Sequence, residues 1–342
     1  MLSLSTSMID RPSISFDEKV RWILDGGITG VVPGPEMSEE EIPGLIREAK
    51  GAGHQIPAVE APGSGSRPAT SGSNTKLPSL HAIDEQERRY ASESCLKSIE
   101  LAEQYEIEVV ILSSRKNASS SQLSEYKKVI EEIQIQRNRL GTDRRDPQIE
   151  RWHQQLDQQQ RDRLQTLNRS LAPHPGLQQK RQDSLLRTLD AILEKASRCQ
   201  IHIGLRETAE IDGLPTRTLF EELSKIFQGA PLGLISDPAA AMNLALLTGQ
   251  EISSSPIDLQ PLTGLILRDF HRTDPDRLLG EGELDLQQQF GDHDPKRLRI
   301  VETPSGTDSA RIQEVARFCR ENGLDGNPPP VAGEPFPIIG GS

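Results

Sequence analysis

The sequence predicts a single closed (β/α)8 barrel of the α/β class, a TIM barrel, on three observations. Short apolar runs alternate with amphipathic helical stretches along most of the chain, the pattern of a parallel α/β fold. There are about eight such strand-helix units, the number a closed barrel needs. With 342 residues and 34% hydrophobic content, the chain is also long enough to bury one large core.

The units follow in order. Leu2–Met8 is the first apolar run, and a helix follows at Phe16–Asp25, opened by Ser15 and closed by Gly26 and Gly27. Ile28–Val32 is the second run. Its helix starts near Ser38, with Glu39, Glu40 and Glu41 placed where negative charge suits the helix dipole, and ends near Gly53. Ile56–Glu60 is the third run. The Gly-, Ser- and Pro-rich stretch 62–79 then reads as a flexible loop. A long helix at Asp84–Tyr105 leads to the fourth run, Val109–Leu112. Later come the run Ile201–Leu205 with a helix at Thr216–Phe227, and Leu232–Ser236 with a helix at Ala239–Leu247. Leu265–Leu267, Leu298–Val301 and a last helix at Asp308–Asn322 complete the series. The barrel thus spans 1–326, and 327–342 is a Pro/Gly-rich C-terminal tail, read as an extended arm.

Between the fourth and fifth runs, about 119–197, the texture becomes rich in Gln, Arg, Glu and Leu. Ile149, Trp152 and Leu156, then Leu164, Leu167 and Leu171, recur at helical spacing, broken at Pro147 and at Pro173–Gly176. This predicts a helical insertion after the fourth strand that covers one barrel face. A coiled-coil docking surface would need sustained heptads, and Gln159–Asp162 breaks the seam.

Composition excludes several function classes. A formal net charge of −12 argues against nucleic acid and anionic membranes as partners. No apolar run reaches membrane-spanning length, and MLSLSTSMID lacks the basic and apolar regions of a signal peptide. Cys95, Cys199 and Cys319 are odd in number and far apart, which argues against a disulfide framework or a cysteine-zinc site and for a cytoplasmic setting. No dinucleotide-binding glycine pattern, phosphate loop or Gly-x-Ser-x-Gly elbow appears. His54 reads as a helix-end residue, His202 as a packed or hydrogen-bonded histidine, and His153, His174 and His293 as surface. Homodimerisation through barrel-face helices stays open.

A barrel of this kind carries its site at the C-terminal ends of its strands. The runs close on Ser5-Thr6-Ser7, Pro33-Gly34, Glu60, Ser113-Ser114-Arg115, Arg206-Glu207, Asp237, Arg268-Asp269 and Glu302. Carboxylates and arginines converging on one mouth point to a site.

The order of segments resembles the sugar phosphate isomerase/epimerase family, the xylose isomerase-like barrels related to endonuclease IV-type barrels. LSLSTSM resembles its first strand, and IDEQERRYASESCLKSIELAEQYEIEVVIL its arginine-bearing third helix and fourth strand. IHIGLRETAEIDGLPTRTLFEELSKIF, PLGLISDPAAAMNLALLTG, LTGLILRDFHRTDPDRLLGEGELDL and RLRIVETP resemble the fifth to eighth units. The pairing of Gly280–Asp285 with Asp237 carries the most specificity. The resemblance implies one divalent ion (Mn²⁺, Mg²⁺, Co²⁺ or Zn²⁺) held by a Glu, an Asp, a His and a Glu on the fifth to eighth strands. That ion would polarise sugar oxygens while carboxylates move a proton. Asp237 and Glu302 match two of these positions, and with Glu207 they are the candidate catalytic residues. The chain departs from the pattern elsewhere. Ungapped, Arg206 falls at the fifth-strand Glu position, and a slip of one residue would restore Glu207 but turn the other set of side chains inward. Ile266 stands where the seventh-strand His is expected, and Ala240 where a further His would be. Two carboxylates beside a guanidinium make a poor divalent-metal site, so a weakened or lost site is expected, with Arg206 as internal counter-ion between Asp237 and Glu302.

Arg206, Arg268 and His271, with Arg272, are the candidate substrate-binding residues if they cluster at the mouth, and would favour an anion there. The blander expectation is that Arg268 and Arg272 pair with Asp269, Asp274 and Asp276 on the rim. The function these observations imply is that of an isomerase- or epimerase-like barrel acting on or binding a small sugar or sugar-derived anion. The alternatives are a catalytically inactive barrel serving as a binding or scaffold protein, and a lyase or hydrolase using arginine without metal. Which of Arg206 and Glu207 points inward discriminates among them.

Overall fold

The computed structural model describes residues 1–6, 16–35, 37, 40–61, 79–113, 120–140, 147–171, 175–207, 213–248, 261–271, 274–291, 294, 296–304 and 306–327. Eight parallel strands form one sheet: β1 (Leu2–Ser5), β2 (Gly30–Val32), β3 (Ala58–Glu60), β4 (Val109–Ser113), β5 (His202–Arg206), β6 (Leu232–Ser236), β7 (Leu262–Leu267) and β10 (Leu298–Val301). Their order is β2-β1-β10-β7-β6-β5-β4-β3. The two ends of that order meet. Val31 N–H donates to Gln55 O at 2.8 Å, Gln55 N–H to Thr29 O at 2.9 Å and Glu60 N–H to Pro33 O at 2.9 Å, so the sheet is nearly closed into a barrel. No helix among the described residues is long and apolar enough to cross a membrane.

The helices begin and end where their sequences dictate. In α3 (Glu85–Gln104), α7 (Arg217–Ile226) and α10 (Ser309–Glu321), the side chains of Asp84, Thr216 and Asp308 accept the N–H of Glu87, Leu219 and Arg311, satisfying first-turn donors. The helix α1 occupies Phe16–Asp25 as its periodicity predicts. The helix α2 (Glu41–Gly51) starts three residues later than Ser38, with Pro43 in its first turn, where a missing N–H costs nothing. His54 N–H donates to Ala49 O at 2.9 Å, and its ring lies 3.0 Å from Ile28 O, so it closes the end of α2 as expected.

Two apolar layers result. A large outer layer lies between strands and helices and includes Leu4, Val31, Leu45, Ile99, Leu189, Leu205, Phe220, Leu267 and Ile312. A small inner cluster (Val32, Ala58, Ile111, Ile235, Ile266, Leu298 and Ile300) draws side chains from six strands and none from helices. It plugs the barrel, as packed side chains do in this architecture. Gly204 makes room for it: a Cβ there would sit 2.7 Å from Ile235 Cγ1.

After β4 come α4 (Ser120–Leu140), α5 (Pro147–Leu171) and α6 (Pro175–Cys199). The last of these packs on α3 and leads into β5, so it serves as a barrel helix, and the added hairpin is α4–α5. That hairpin is held by Tyr126, Ile130 and Leu164, an Arg163–Glu132 ion pair at 2.6 Å and a Tyr126 O–H to Asn168 Oδ1 bond at 3.2 Å. It packs on α8 (Pro238–Thr248), a helix that is apolar on nearly every side and needs cover. The buried stripe of α5 is His153, Gln160 and Leu164, whereas Trp152 is 40% exposed. This corrects the expected placing of His153 on the surface and of Trp152 in the seam. The 62–79 loop lies outside the described residues except for Ser79, which is buried, as do His174, His293 and the 327–342 tail except Asn327. The antiparallel pair β8 (Asp269–His271) and β9 (Asp274–Arg277) and the short α9 (Leu286–Phe290) were not expected.

Candidate functional site

Alternation along a strand decides which run-closing residues meet. Side chains two apart share a face. The plug residues Ala58, Ile111, Ile235, Ile266 and Ile300 therefore place Glu60, Ser113, Asp237, Arg268 and Glu302 on the same inner face, one step nearer the C-terminal mouth. On β5 the same parity brings Arg206 in beside Ser113, its register partner. Ile266 remains in the plug, 1% exposed.

The six residues form one buried polar cluster. The Arg206 fork spans Glu302, with NH1 to Oε1 at 2.6 Å and NH2 to Oε2 at 2.8 Å, a bidentate pair. The same NH2 donates to Asp237 Oδ2 at 2.8 Å, and NH1 lies 3.5 Å from Glu60 Oε2. Arg268 grips Asp237 from another side, Nε to Oδ1 at 3.0 Å and NH2 to Oδ2 at 2.7 Å, and its NH1 lies 3.7 Å from Glu302. Ser113 O–H donates to Glu60 through a short hydrogen bond. Ala240 N–H donates to Asp237 Oδ1 at 3.0 Å, which ties this carboxylate to the first turn of α8. Each of these ionisable side chains is at most 10% exposed.

Electrostatics follow from that geometry. Burial by itself would raise the Asp237 carboxyl, but the charges and hydrogen bonds of Arg268 and Arg206 outweigh it and hold the group below the ordinary carboxylate range. Glu302 behaves alike: burial raises it, Arg206 and then Arg268 lower it further, and the net direction is down. Burial opposes the charge on Arg206, yet Glu302, Glu60 and Asp237 together raise it well above its usual value.

Glu207 faces the other way. It pairs with Arg217 Nε at 2.6 Å and accepts Ser236 O–H at 3.0 Å and Asp237 N–H at 3.1 Å. The structure thus puts Arg206, not Glu207, into the barrel, and Glu207 braces the backbone that presents Asp237. Arg268 does not pair with Asp269 on the rim. Asp269 is turned away and accepts the N–H groups of Phe270, Gly280, Gly282 and Leu284 at 2.8 to 3.2 Å, which organises the loop after β7. The side chain of His271 and all of Arg272 lie outside the described residues. Glu60 and Ser113 were visible as run-closing residues, but their joining Arg206 was not foreseen. Two guanidiniums face three carboxylates, so the described cluster carries no positive excess, while the His271 and Arg272 side chains on which the expected preference for an anion also rested lie outside the described residues.

These residues do not suit a divalent ion. A guanidinium fork already occupies the space between Asp237 and Glu302, and like charge repels a metal. Among the described residues, no group of three or more His, Cys, Asp or Glu is arranged to hold one.

No known family model matches the chain, and no curated protein matches its sequence. Solved structures match it over nearly its whole length. A D-tagatose 3-epimerase-like protein has a TM-score of 0.55 and 15% identity, covering 93% of this chain and 96% of that one. The 3-keto-D-glucoside 4-epimerase from E. coli has a TM-score of 0.57 and 11% identity, covering 93% and 98%. A xylose isomerase domain protein from Planctomyces limnophilus has a TM-score of 0.51 and 11% identity, covering 94% and 95%. The fold is thus that of the xylose isomerase-like TIM barrels, shared with sugar epimerases at divergent sequence.

Proposed function

We propose, from that fold, that the chain binds a small, uncharged, hydroxyl-rich molecule of the sugar class at the C-terminal mouth of the barrel, without metal-assisted isomerisation. The observation that carries this reading is the Arg206 fork closed on Glu302 and Asp237. A general base works best with a pKa near the working pH. Both of these carboxylates are held low by arginines, so each is a weak proton acceptor. The charge balance supports an uncharged ligand over a sugar phosphate or sugar acid. Sugar epimerases on the same fold support the sugar class by analogy alone, since one barrel hosts many chemistries.

The test is a thermal-shift screen of ketoses, aldoses, polyols and their phosphates, with parallel analysis of each sugar for epimers, with and without Mn²⁺. The expected result is a raised unfolding midpoint with one or more neutral sugars or polyols, weaker effects from their phosphates, and no epimer formed. Formation of an epimer that depends on Mn²⁺ contradicts the reading. A screen without any stabilising sugar favours the second reading, a scaffold barrel whose polar cluster is purely structural, to which the saturation of that cluster also points.

A further inference from the structure

We propose that Glu60 is the specificity-determining residue of the barrel mouth, its Oε2 accepting a hydroxyl from a neutral sugar seated over β1, β2 and β3. The inference rests on the neutral-sugar reading above and names the atom and the side of the barrel that recognise the sugar.

Three observations carry it. The first is uneven coordination. Every carboxylate oxygen of the cluster except one has a donor within 3.0 Å. The exception is Glu60 Oε2, 3.5 Å from Arg206 NH1, which already donates to Glu302 at 2.6 Å. That is beyond the usual N–H···O range of about 2.7–3.2 Å. Glu60 is 3% exposed, and a carboxylate buried so deeply with one oxygen so weakly served gains most from a further donor. The second observation is the shape of the ring that the inner-face residues form. Ser113, Arg206, Asp237 and Arg268 fill its β4 to β7 side. On β1, one step past the Leu4–Val301 register pair, Ser5 stands level with Glu302. On β2, Gly34 follows Pro33, whose carbonyl accepts Glu60 N–H, and Gly34 N–H is tied to Thr6 Oγ1 at 2.7 Å. Between Glu302 and Glu60 the ring therefore carries its shortest side chains. The third observation is Ser3, one layer below Ser5 on the same inner face and level with the plug residue Ile300. It is fully buried, and its Oγ has no hydrogen-bond partner among the described residues. Buried hydroxyls are normally paired, so this side holds a second polar atom that a hydroxyl-rich molecule, with the water it orders, can satisfy.

Glu60 is dispensable for the fold on this account. In Glu60→Gln, Arg206 keeps its contacts to Glu302 and Asp237, and two guanidiniums face two carboxylates. The Gln carbonyl still accepts Ser113 O–H, while its amide puts a donor where the sugar hydroxyl met an acceptor. The test uses the full chain. The unsubstituted protein and Glu60→Gln are each titrated calorimetrically with D-fructose, D-tagatose, D-xylose, D-glucose and D-sorbitol, and their unfolding midpoints are recorded without sugar. The expected result is that at least one of the five binds the unsubstituted protein and binds Glu60→Gln at least about tenfold more weakly, with the sugar-free midpoint unchanged or higher. Equal affinity in the two proteins overturns the proposal and leaves the neutral-sugar reading standing. Binding of none of the five to the unsubstituted protein overturns that reading and the proposal with it. A Glu60→Gln chain that fails to fold, or whose midpoint falls together with its affinity, makes Glu60 a structural member of the cluster and overturns the proposal alone.

Discussion

Replacing Arg206 by Met is expected to destabilise the protein by about 3–5 kcal/mol at neutral pH, the range for breaking a buried ion pair by removing one partner. The side chain is of similar volume, so packing changes little and the loss is mainly electrostatic. Glu302 loses both of its short contacts and, among the described residues, keeps Arg268 at 3.7 Å, while Asp237 retains the Arg268 fork. The sign of the pH dependence makes this prediction distinctive. In the intact protein Asp237 and Glu302 have folded pKa values below their unfolded values of about 4. Their contribution is therefore fully present above that pH and lost as the pH falls through the folded values. In Arg206→Met, burial dominates at Glu302 and raises its folded pKa above the unfolded one. The variant then loses stability as the pH rises from about 4 towards neutral. Urea unfolding at pH 5 and pH 8 should show a gap between the two proteins that widens at pH 8. A gap independent of pH would mean that Arg206 contributes through packing.

The second large effect is expected at Asp269. Asp269 is 1% exposed, and its carboxylate accepts four backbone N–H groups, two of them from Gly280 and Gly282. Asp269→Ala leaves these donors without their acceptor. A buried donor left unsatisfied costs about 1–3 kcal/mol, and some of the four will find water, so a loss of about 3–4 kcal/mol is expected. Asp269→Asn keeps one acceptor oxygen and should lose about half as much. Chemical denaturation measures both. Equal effects from the two substitutions would show that the ordering of this loop rests on charge instead of acceptor count.

Much of the fold is legible in the sequence because local chemistry and burial agree. The run Leu232–Ser236 is β6 and Leu298–Val301 is β10 without adjustment, since both strands are buried throughout and are apolar apart from Ser236 and Arg299. Asp84, Thr216 and Asp308 mark their helix starts because each is a capping residue just before an amphipathic stretch. The β8–β9 pair is not legible. Its strands read Asp-Phe-His and Asp-Pro-Asp-Arg, in which Asp and Pro are depleted in strands, and hydrogen bonds to Asp269 hold the neighbouring loop in place of an apolar pattern. The helix α9 is too short for periodicity to show. On α5 the buried face is chosen by α4 and α8, so His153 and Gln160 go in while Trp152 stays out.

In the candidate site, the inward turn of Arg206 and its place between Asp237 and Glu302 follow from strand parity and are legible. The partner of Arg268 is not read from neighbouring charges. Adjacent residues at a strand end point to opposite faces, which sends Arg268 to Asp237 and Asp269 to the loop. Glu60 and Ser113 close their runs visibly, but their link to Arg206 crosses from one strand to others and has no local signature.

Metal content tests most directly whether Arg206, closed on Asp237 and Glu302, takes the place of a metal ion. The unsubstituted protein is purified, then incubated separately with Mn²⁺, Co²⁺, Mg²⁺ and Zn²⁺, desalted and subjected to elemental analysis. Well under one metal ion per chain is expected in every case. One equivalent of a divalent metal, removable by chelator and lost in Asp237→Asn, would contradict it, because Asp237 would then be a metal ligand in place of a partner for two arginines.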